Sequence, residues 1–285
     1  MVDMSLHPPA PTGFAEVVDA WAHTVRCVTD LGRALRPGDA ERPTDCPGWT
    51  VADQLAHVLG GESMVAGDPD PDVDVSGYDY LRHDFGTRHE KFVEARRGRS
   101  PEDLVDELDW RLEERLAVYR SEGVTGEEEV RGPFGRTTLA DLVGIRTFDV
   151  WMHEQDLREA LDRPGGLDTP AAALSVSRLF AVLPRVVARD ARVGAGQAVV
   201  LDLTGPTVGR AGVRVEQDGD RAVGIPLFTG EDADHPDVVT TSLSMSTRVA
   251  MRLAGGRRSP DELPVTVHGD EAVARSVLAA LAITP

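Results

Sequence analysis

Along the first half of the chain, apolar residues recur at intervals of three and four. Phe14, Val17, Val18, Trp21, Val25, Val28 and Leu35 form one such stripe, the spacing that places side chains on one face of an α-helix. The pattern predicts a first helix ending near Arg36-Pro37-Gly38, because proline cannot continue the backbone ladder. Thr50 reads as the N-cap of a second helix, with Asp53 at the capping-box position and Val51, Leu55, Val58 and Leu59 as its apolar face to about Val65. A third helical region is expected over Tyr78 to Arg97. A fourth starts at Ser100-Pro101, with proline at its first position, and carries Leu104, Val105, Leu108, Leu112, Leu116 and Tyr119. The glycine-rich, acidic stretch Gly123 to Thr137 reads as a loop. A last long helix over Leu139 to Leu161 is stopped by Arg163-Pro164-Gly165-Gly166. Long amphipathic helices joined by a few loops predict an antiparallel bundle.

The second half has a different rhythm. One helix is expected over Thr169 to Ala188, with Leu174, Leu179, Val182 and Leu183 buried. Short β-branched runs follow at Val199 to Leu203, Val213 to Glu216, Arg221 to Ile225, Val238 to Ser242 and Val265 to His268. The second and third flank Asp218-Gly219-Asp220, a hairpin signal. Helices at Thr247 to Ala254 and Glu271 to Ala282 complete an α+β half. The expected division is therefore a helical domain over 1–166 and a smaller α+β domain over 167–285. A length of 285 residues exceeds what one hydrophobic core ordinarily supports.

Charge narrows the partners. Thirty basic against 48 acidic residues give a net charge of −18, which repels phosphate backbones and anionic lipid and so argues against nucleic-acid and membrane partners. Cys27 and Cys46 are too few for a disulfide framework, so a reducing cytoplasm is the expected location. The opening MVDMSLHPPAPTG lacks the basic and apolar regions of a secretory signal. No uninterrupted apolar run approaches the roughly 18 residues of a membrane span.

The candidate chemistry lies in the last helix of the bundle. Asp149 and His153 are four residues apart, so both project from one helix face, and Asp156, Leu142, Arg146 and Ala160 lie along it. The apolar stripe of Val143, Val150, Leu157 and Leu161 is displaced by about a quarter turn, from ~100° per residue. A carboxylate and an imidazole at this spacing form a two-ligand unit for a divalent metal, or else a simple polar pair beside the core. His57 on the second helix is a candidate third ligand. Three protein ligands and one open position fit a catalytic metal. Arg146 and Arg158 are candidates to clamp an anionic substrate or thiol, against a plainer reading as helix-surface ion pairs. Cys46, in the loop before the second helix, is a weaker candidate nucleophile, with no dedicated base evident. The aspartate-rich loop 66–77 reads as solvated chain, since Val73 stands where a calcium loop needs glycine. Gly194-Ala195-Gly196 lacks the third glycine and following helix of a dinucleotide fingerprint.

The run Cys46-Pro47-Gly48-Trp49-Thr50-Val51-x-Asp53-x-x-x-His57, together with Asp149-Val-Trp-Met-His153-Glu-Gln-Asp156-Leu157-Arg158, resembles the paired motifs of the actinobacterial mycothiol-dependent maleylpyruvate isomerase family, related to the DinB-like metal-dependent four-helix bundles. Ser244 to Gly256 and His268-Gly269-Asp270 are similar to its C-terminal domain, which resembles sterol-carrier folds. The resemblance implies a divalent metal, with zinc expected, held by His57, Asp149 and His153. The isomerase has glutamate where this chain has Asp149. It further implies mycothiol as cofactor and a small electrophilic substrate, converted by cis–trans isomerisation or by thiol transfer. Asp156 and Glu154 would orient ligands or shuttle protons. The competing expectation is a non-catalytic protein on the same fold that binds a small ligand.

Overall fold

The computed structural model describes residues 6–228 and 239–284. The chain divides into two compact units. One is Pro11–Gly166, and the other joins the segment ending at Ala10 to Leu167–Thr284.

The first unit is a bundle of four long helices: α1 (Phe14–Arg33), α2 (Val51–Ala66), α4 (Pro101–Tyr119) and α5 (Leu139–Leu161), with a shorter α3 (Asp84–Glu94) against α2. α1 packs on α5 and α4, while α2 packs on α4, α3 and α5. Caps set the starts as the sequence predicts. Thr50, Ser100 and Thr138 each accept a hydrogen bond from the backbone N–H three residues on. The core stripe residues Trp21, Val25, Val28, Leu55, Leu59, Leu108, Leu112, Val143, Val150 and Leu157 are buried. Each fully buried side chain of this kind contributes about 1.5–3 kcal/mol. α5 is buried on its polar face as well, at Arg146, His153 and Asp156.

Two expectations change here. Helix α3 starts at Asp84 rather than Tyr78, because His83 caps it through Nδ1 to the Gly86 N–H (2.9 Å). The preceding stretch is held in turns by Tyr78 and Tyr80, whose hydroxyls donate to Glu94 and Glu90. The expected loop 123–137 contains a small antiparallel hairpin, β1 (Glu129–Gly132) and β2 (Gly135–Thr138), with Gly132 opposite Gly135. Its strands are short and exposed, so no apolar alternation announces them.

The second unit is a five-stranded mixed sheet flanked by helices. Its strands are β3 (Gln197–Thr204), β4 (Val208–Asp218), β5 (Arg221–Leu227), β6 (Val239–Met245) and β7 (Thr266–His268), in the order β5-β4-β3-β6-β7. Among the described residues only β3 and β6 run parallel. The expected hairpin forms between β4 and β5 with Asp218 opposite Arg221, and Gly219 takes the left-handed conformation the turn needs (φ 58°). Val238, the expected first residue of β6, lies outside the described residues. Helices α6 (Pro170–Arg185), α7 (Thr247–Ala254) and α8 (Glu271–Ala280) complete the unit. α6 gives way to a π-helical turn at Val186–Asp190 instead of running straight to Ala188. Pro184 lacks the N–H that would continue the regular ladder. Pro170–Asp190 is long and apolar enough to cross a membrane by length and composition, yet most of it is buried inside the unit. The start of the chain also belongs here: His7 and Val208 exchange two backbone hydrogen bonds of 2.9 Å.

Candidate metal centre

Two helix faces meet at the centre. α2 presents Gln54, His57 and Gly61 at intervals of three and four, and α5 presents Arg146, Asp149, His153 and Asp156 in the same way. The structure brings His57, Asp149 and His153 together, with ligand atoms all within 4.8 Å of one another. Asp149 Oδ2 is 3.5 Å from His57 Nε2, and Oδ1 is 3.6 Å from His153 Nε2. Both histidines are buried, whereas 30% of the Asp149 side chain remains exposed, which marks the open side.

The tautomer of His153 follows from its neighbours. Gln54 donates through Nε2 to Thr44 Oγ1 (2.9 Å), which turns its Oε1 toward His153 Nδ1 at 2.6 Å. Since that oxygen only accepts, Nδ1 carries the proton and donates it. Asp156 Oδ2 stands 3.3 Å from the same Nδ1. Nε2 is thereby left facing Asp149, an arrangement that commonly orients a metal-binding imidazole.

Charges of both signs meet at the centre, where a cation would compete with the proton that His153 holds. Burial would raise the Asp149 carboxyl, but the Arg146 guanidinium and the two histidines hold it well below the usual carboxylate range. Burial drags His57 down to about 3, with the charge of His153 adding to the effect, so its ring is neutral at physiological pH. Burial also pulls on His153, but Asp149, Asp156 and Cys46 outweigh it and hold the ring well above its ordinary value. Among the described residues neither buried ring nitrogen of His57 has a well-formed hydrogen bond, Nε2 having only the 3.5 Å approach to Asp149. An unsatisfied buried nitrogen is costly. A cation between His57, Asp149 and His153 would satisfy one, so the residues present fit a divalent metal.

The other candidates are placed differently. Asp156 is fully buried behind His153, where it accepts the Cys46 thiol at 3.3 Å. It can orient His153 but lies on the Nδ1 side. Cys46 therefore has neighbours that the sequence did not reveal, because they lie 107 and 110 residues further on. Glu154 does not join the centre. One position round the helix, it accepts from Thr24 of α1 (2.5 Å) and from Arg158 Nε (2.8 Å). Cys27 lies in that second cluster, where burial pushes its thiol up to about 11 and leaves it inert. Arg146 and Arg158, the expected clamp, are both paired within the protein. Arg146 is buried, not on the helix surface, and donates to Glu62 Oε1 through Nε and Nη2 (3.1 and 2.9 Å) and to Asp149 through Nη1 (2.5 Å). Arg158 is committed to Glu154 and the Arg163 carbonyl. All three Arg146 nitrogens donate to carboxylates, and Arg158 donates to one carboxylate and one carbonyl.

Two residues that the sequence did not single out for chemistry also border the centre. The Trp49 ring lies 4.8 Å from that of His57 and 5.9 Å from that of His153, held by its N–H to Glu90 (2.8 Å). Gly48 makes this turn with φ 77°, and a Cβ there would lie 2.2 Å from the Tyr80 ring. His89 on α3 is buried, 5.0 Å ring to ring from His57, and burial pulls it down to about 4. Its place in the sequence, between Arg88 and Glu90 on a charged helix, carries no signal of this.

A His–Asp–His group between two helices of a bundle, in a chain that continues into an α+β unit, defines a class of two-part proteins whose bundle could hold a metal ion. Residues 21–158 match the family model described as the mycothiol maleylpyruvate isomerase N-terminal domain. By this match the bundle is a domain of the mycothiol maleylpyruvate isomerase N-terminal family. The fold is shared with a crystal structure of the mycothiol-dependent maleylpyruvate isomerase at 16% identity and a TM-score of 0.53, covering 91% of this chain and 95% of that one. A mutant of that isomerase with a histidine replaced by alanine matches at 16% identity over the same shares, with a TM-score of 0.52. No curated protein matches the chain.

Proposed function

We propose that this chain is a metal-dependent enzyme that uses mycothiol to attack a small electrophilic substrate, giving either cis–trans isomerisation or thiol transfer. The observation that carries the reading is the buried His57, whose nitrogens lack well-formed hydrogen bonds among the described residues, within reach of Asp149 and His153. His57, Asp149 and His153 would hold the ion, with zinc expected from the nitrogen and oxygen donors. A divalent ion there supplies Lewis acidity that lowers the pKa of a thiol to near neutrality.

The chain's own residues do the rest. Gln54 and Asp156 keep the His153 proton on Nδ1, so that Nε2 points to the centre. Arg146 keeps Asp149 ionised. Trp49 lies along one flank, 4.8 Å ring to ring from His57. In the isomerisation, the thiolate sulfur adds to one carbon of a conjugated cis double bond and the electron pair moves to the neighbouring carbonyl. The carbon–carbon bond, now single, rotates. Return of the electron pair expels the thiolate and leaves the trans product, so thiol is not consumed. In thiol transfer, a proton is taken up and the adduct is kept.

Metal content of protein purified without a tag or chelator tests the reading. About one zinc per chain is expected in the wild type and none in His153→Ala. Thiol-dependent conversion should vanish in both His57→Ala and His153→Ala. No metal in the wild type, even after reconstitution with zinc, would overturn the reading in favour of a non-catalytic ligand-binding protein.

A further inference from the structure

His89 is the residue beside the centre whose environment the metal reading leaves unexplained. It is 8% exposed, and its Nε2 has no hydrogen-bond partner among the described residues. It sits 5.0 Å from the ring of His57 on one side and 4.4 Å from the ring of Phe85 on the other. Phe85 in turn stacks at 6.2 Å on Phe134, which is 79% exposed at the turn of the β1–β2 hairpin. A row of rings thus leads from His57 through His89 and Phe85 to the surface. Burying an imidazole nitrogen without a partner costs free energy that the fold does not recover. Such an atom beside a ligand-binding centre is explained when the ligand is its partner. The His89 ring is not among the group whose ligand atoms lie within 4.8 Å of one another, so its role differs from that of His57 and His153.

We propose that His89 is a ligand-binding residue of this centre, and that its Nε2–H donates a hydrogen bond to an anionic group brought to the metal by the reactants. A divalent ion held by His57, Asp149 and His153 would itself attract an anionic group. Two sources share this chemistry: the thiolate of the thiol and a carboxylate of the substrate. The proposal rests on the metal reading above, and its test separates the two.

Cobalt(II) replaces zinc as an optical probe, and the loaded wild type, His89→Ala and His89→Gln are titrated with 2-mercaptoethanol and, separately, with maleate. Glutamine places an amide N–H near the position of Nε2 and keeps a polar, similarly sized side chain. Expected is an unchanged cobalt spectrum and stoichiometry in all three. In His89→Ala the Kd for one probe should rise about 10-fold, the usual worth of one hydrogen bond to a charged group. His89→Gln should recover most of that loss. A rise for mercaptoethanol alone assigns His89 to the thiolate, and a rise for maleate alone assigns it to the substrate carboxylate. Wild-type affinity for both probes in both variants overturns the proposal. Loss of cobalt in the His89 variants with retention in the wild type also overturns it, because His89 would then serve the ion. No cobalt site in the wild type overturns the metal reading, and this proposal falls with it.

Discussion

His153 is aligned by groups that would never touch a substrate. Its Nδ1 meets Gln54 Oε1 at 2.6 Å, and Thr44 fixes the orientation of the Gln54 amide. Removing such an outer partner commonly weakens metal binding by about 10–100-fold. Gln54→Ala should therefore lose about that much zinc affinity in competition with a chromophoric chelator, while keeping wild-type helicity. Unchanged affinity would assign the alignment of His153 to Asp156 alone. The pair Asp149 and His153 was legible in the sequence, because helix geometry alone decides that residues four apart share a face. Gln54 and His89 were not. A glutamine on α2 and a histidine on a charged helix acquire their meaning only from the residues packed opposite, 99 and 32 positions away in His153 and His57.

At the scale of elements, α2 carries two adjacent glycines whose helix propensity costs about 1 kcal/mol each relative to alanine. The packing explains them. A Cβ on Gly60 would lie 2.7 Å from Phe92 Cβ of α3, and one on Gly61 would lie 2.4 Å from Arg146 Nη2. Gly60 lets α3 approach, and Gly61 makes room for the guanidinium that bridges Glu62 and Asp149. Displacing a buried charge from its partners is strongly destabilising. Both Gly60→Ala and Gly61→Ala should lower the urea midpoint, by an equivalent of about 1–3 kcal/mol. Only Gly61→Ala should also weaken zinc binding, since only it disturbs the arginine beside Asp149. Equal zinc affinity in the two variants would remove Arg146 from any role in placing that carboxylate. Long helices, their caps and the β4–β5 hairpin were readable from periodicity and turn chemistry. The β1–β2 hairpin and the late start of α3 were not, because exposed short strands and side-chain caps leave no periodic trace.

At the scale of the whole molecule, each unit has its own core, and the chain's start is built into the second. His7 pairs with Val208, and Leu6 fills the space above Gly209, where a Cβ would lie 2.4 Å from the leucine Cδ2. Leu6 is half-buried, so Leu6→Ala should cost about 1 kcal/mol. It should speed amide exchange at Val208 while leaving the amides of α2 and α5 in the bundle unchanged. Equal acceleration in the bundle would show that the segment supports more than its own sheet. The end of α5 just before Pro164-Gly165-Gly166 could be read from the sequence, because proline and glycine end a helix through local backbone chemistry. The pairing of His7 with a sheet about 200 positions further on could not.

By itself, the sequence determined what depends on near neighbours: the helices and their caps, the hairpin turn, the acidic charge, and the placement of Asp149 and His153 on one face. The tertiary structure alone decided which faces meet. It set His57 against that face, buried Arg146 between two carboxylates, turned Glu154 toward α1 and placed His89 beside the centre. The physical reason is the range of the forces. Backbone geometry acts over four or five residues and is written locally. Burial, desolvation and charge pairing act between surfaces that exist only once the helices have packed.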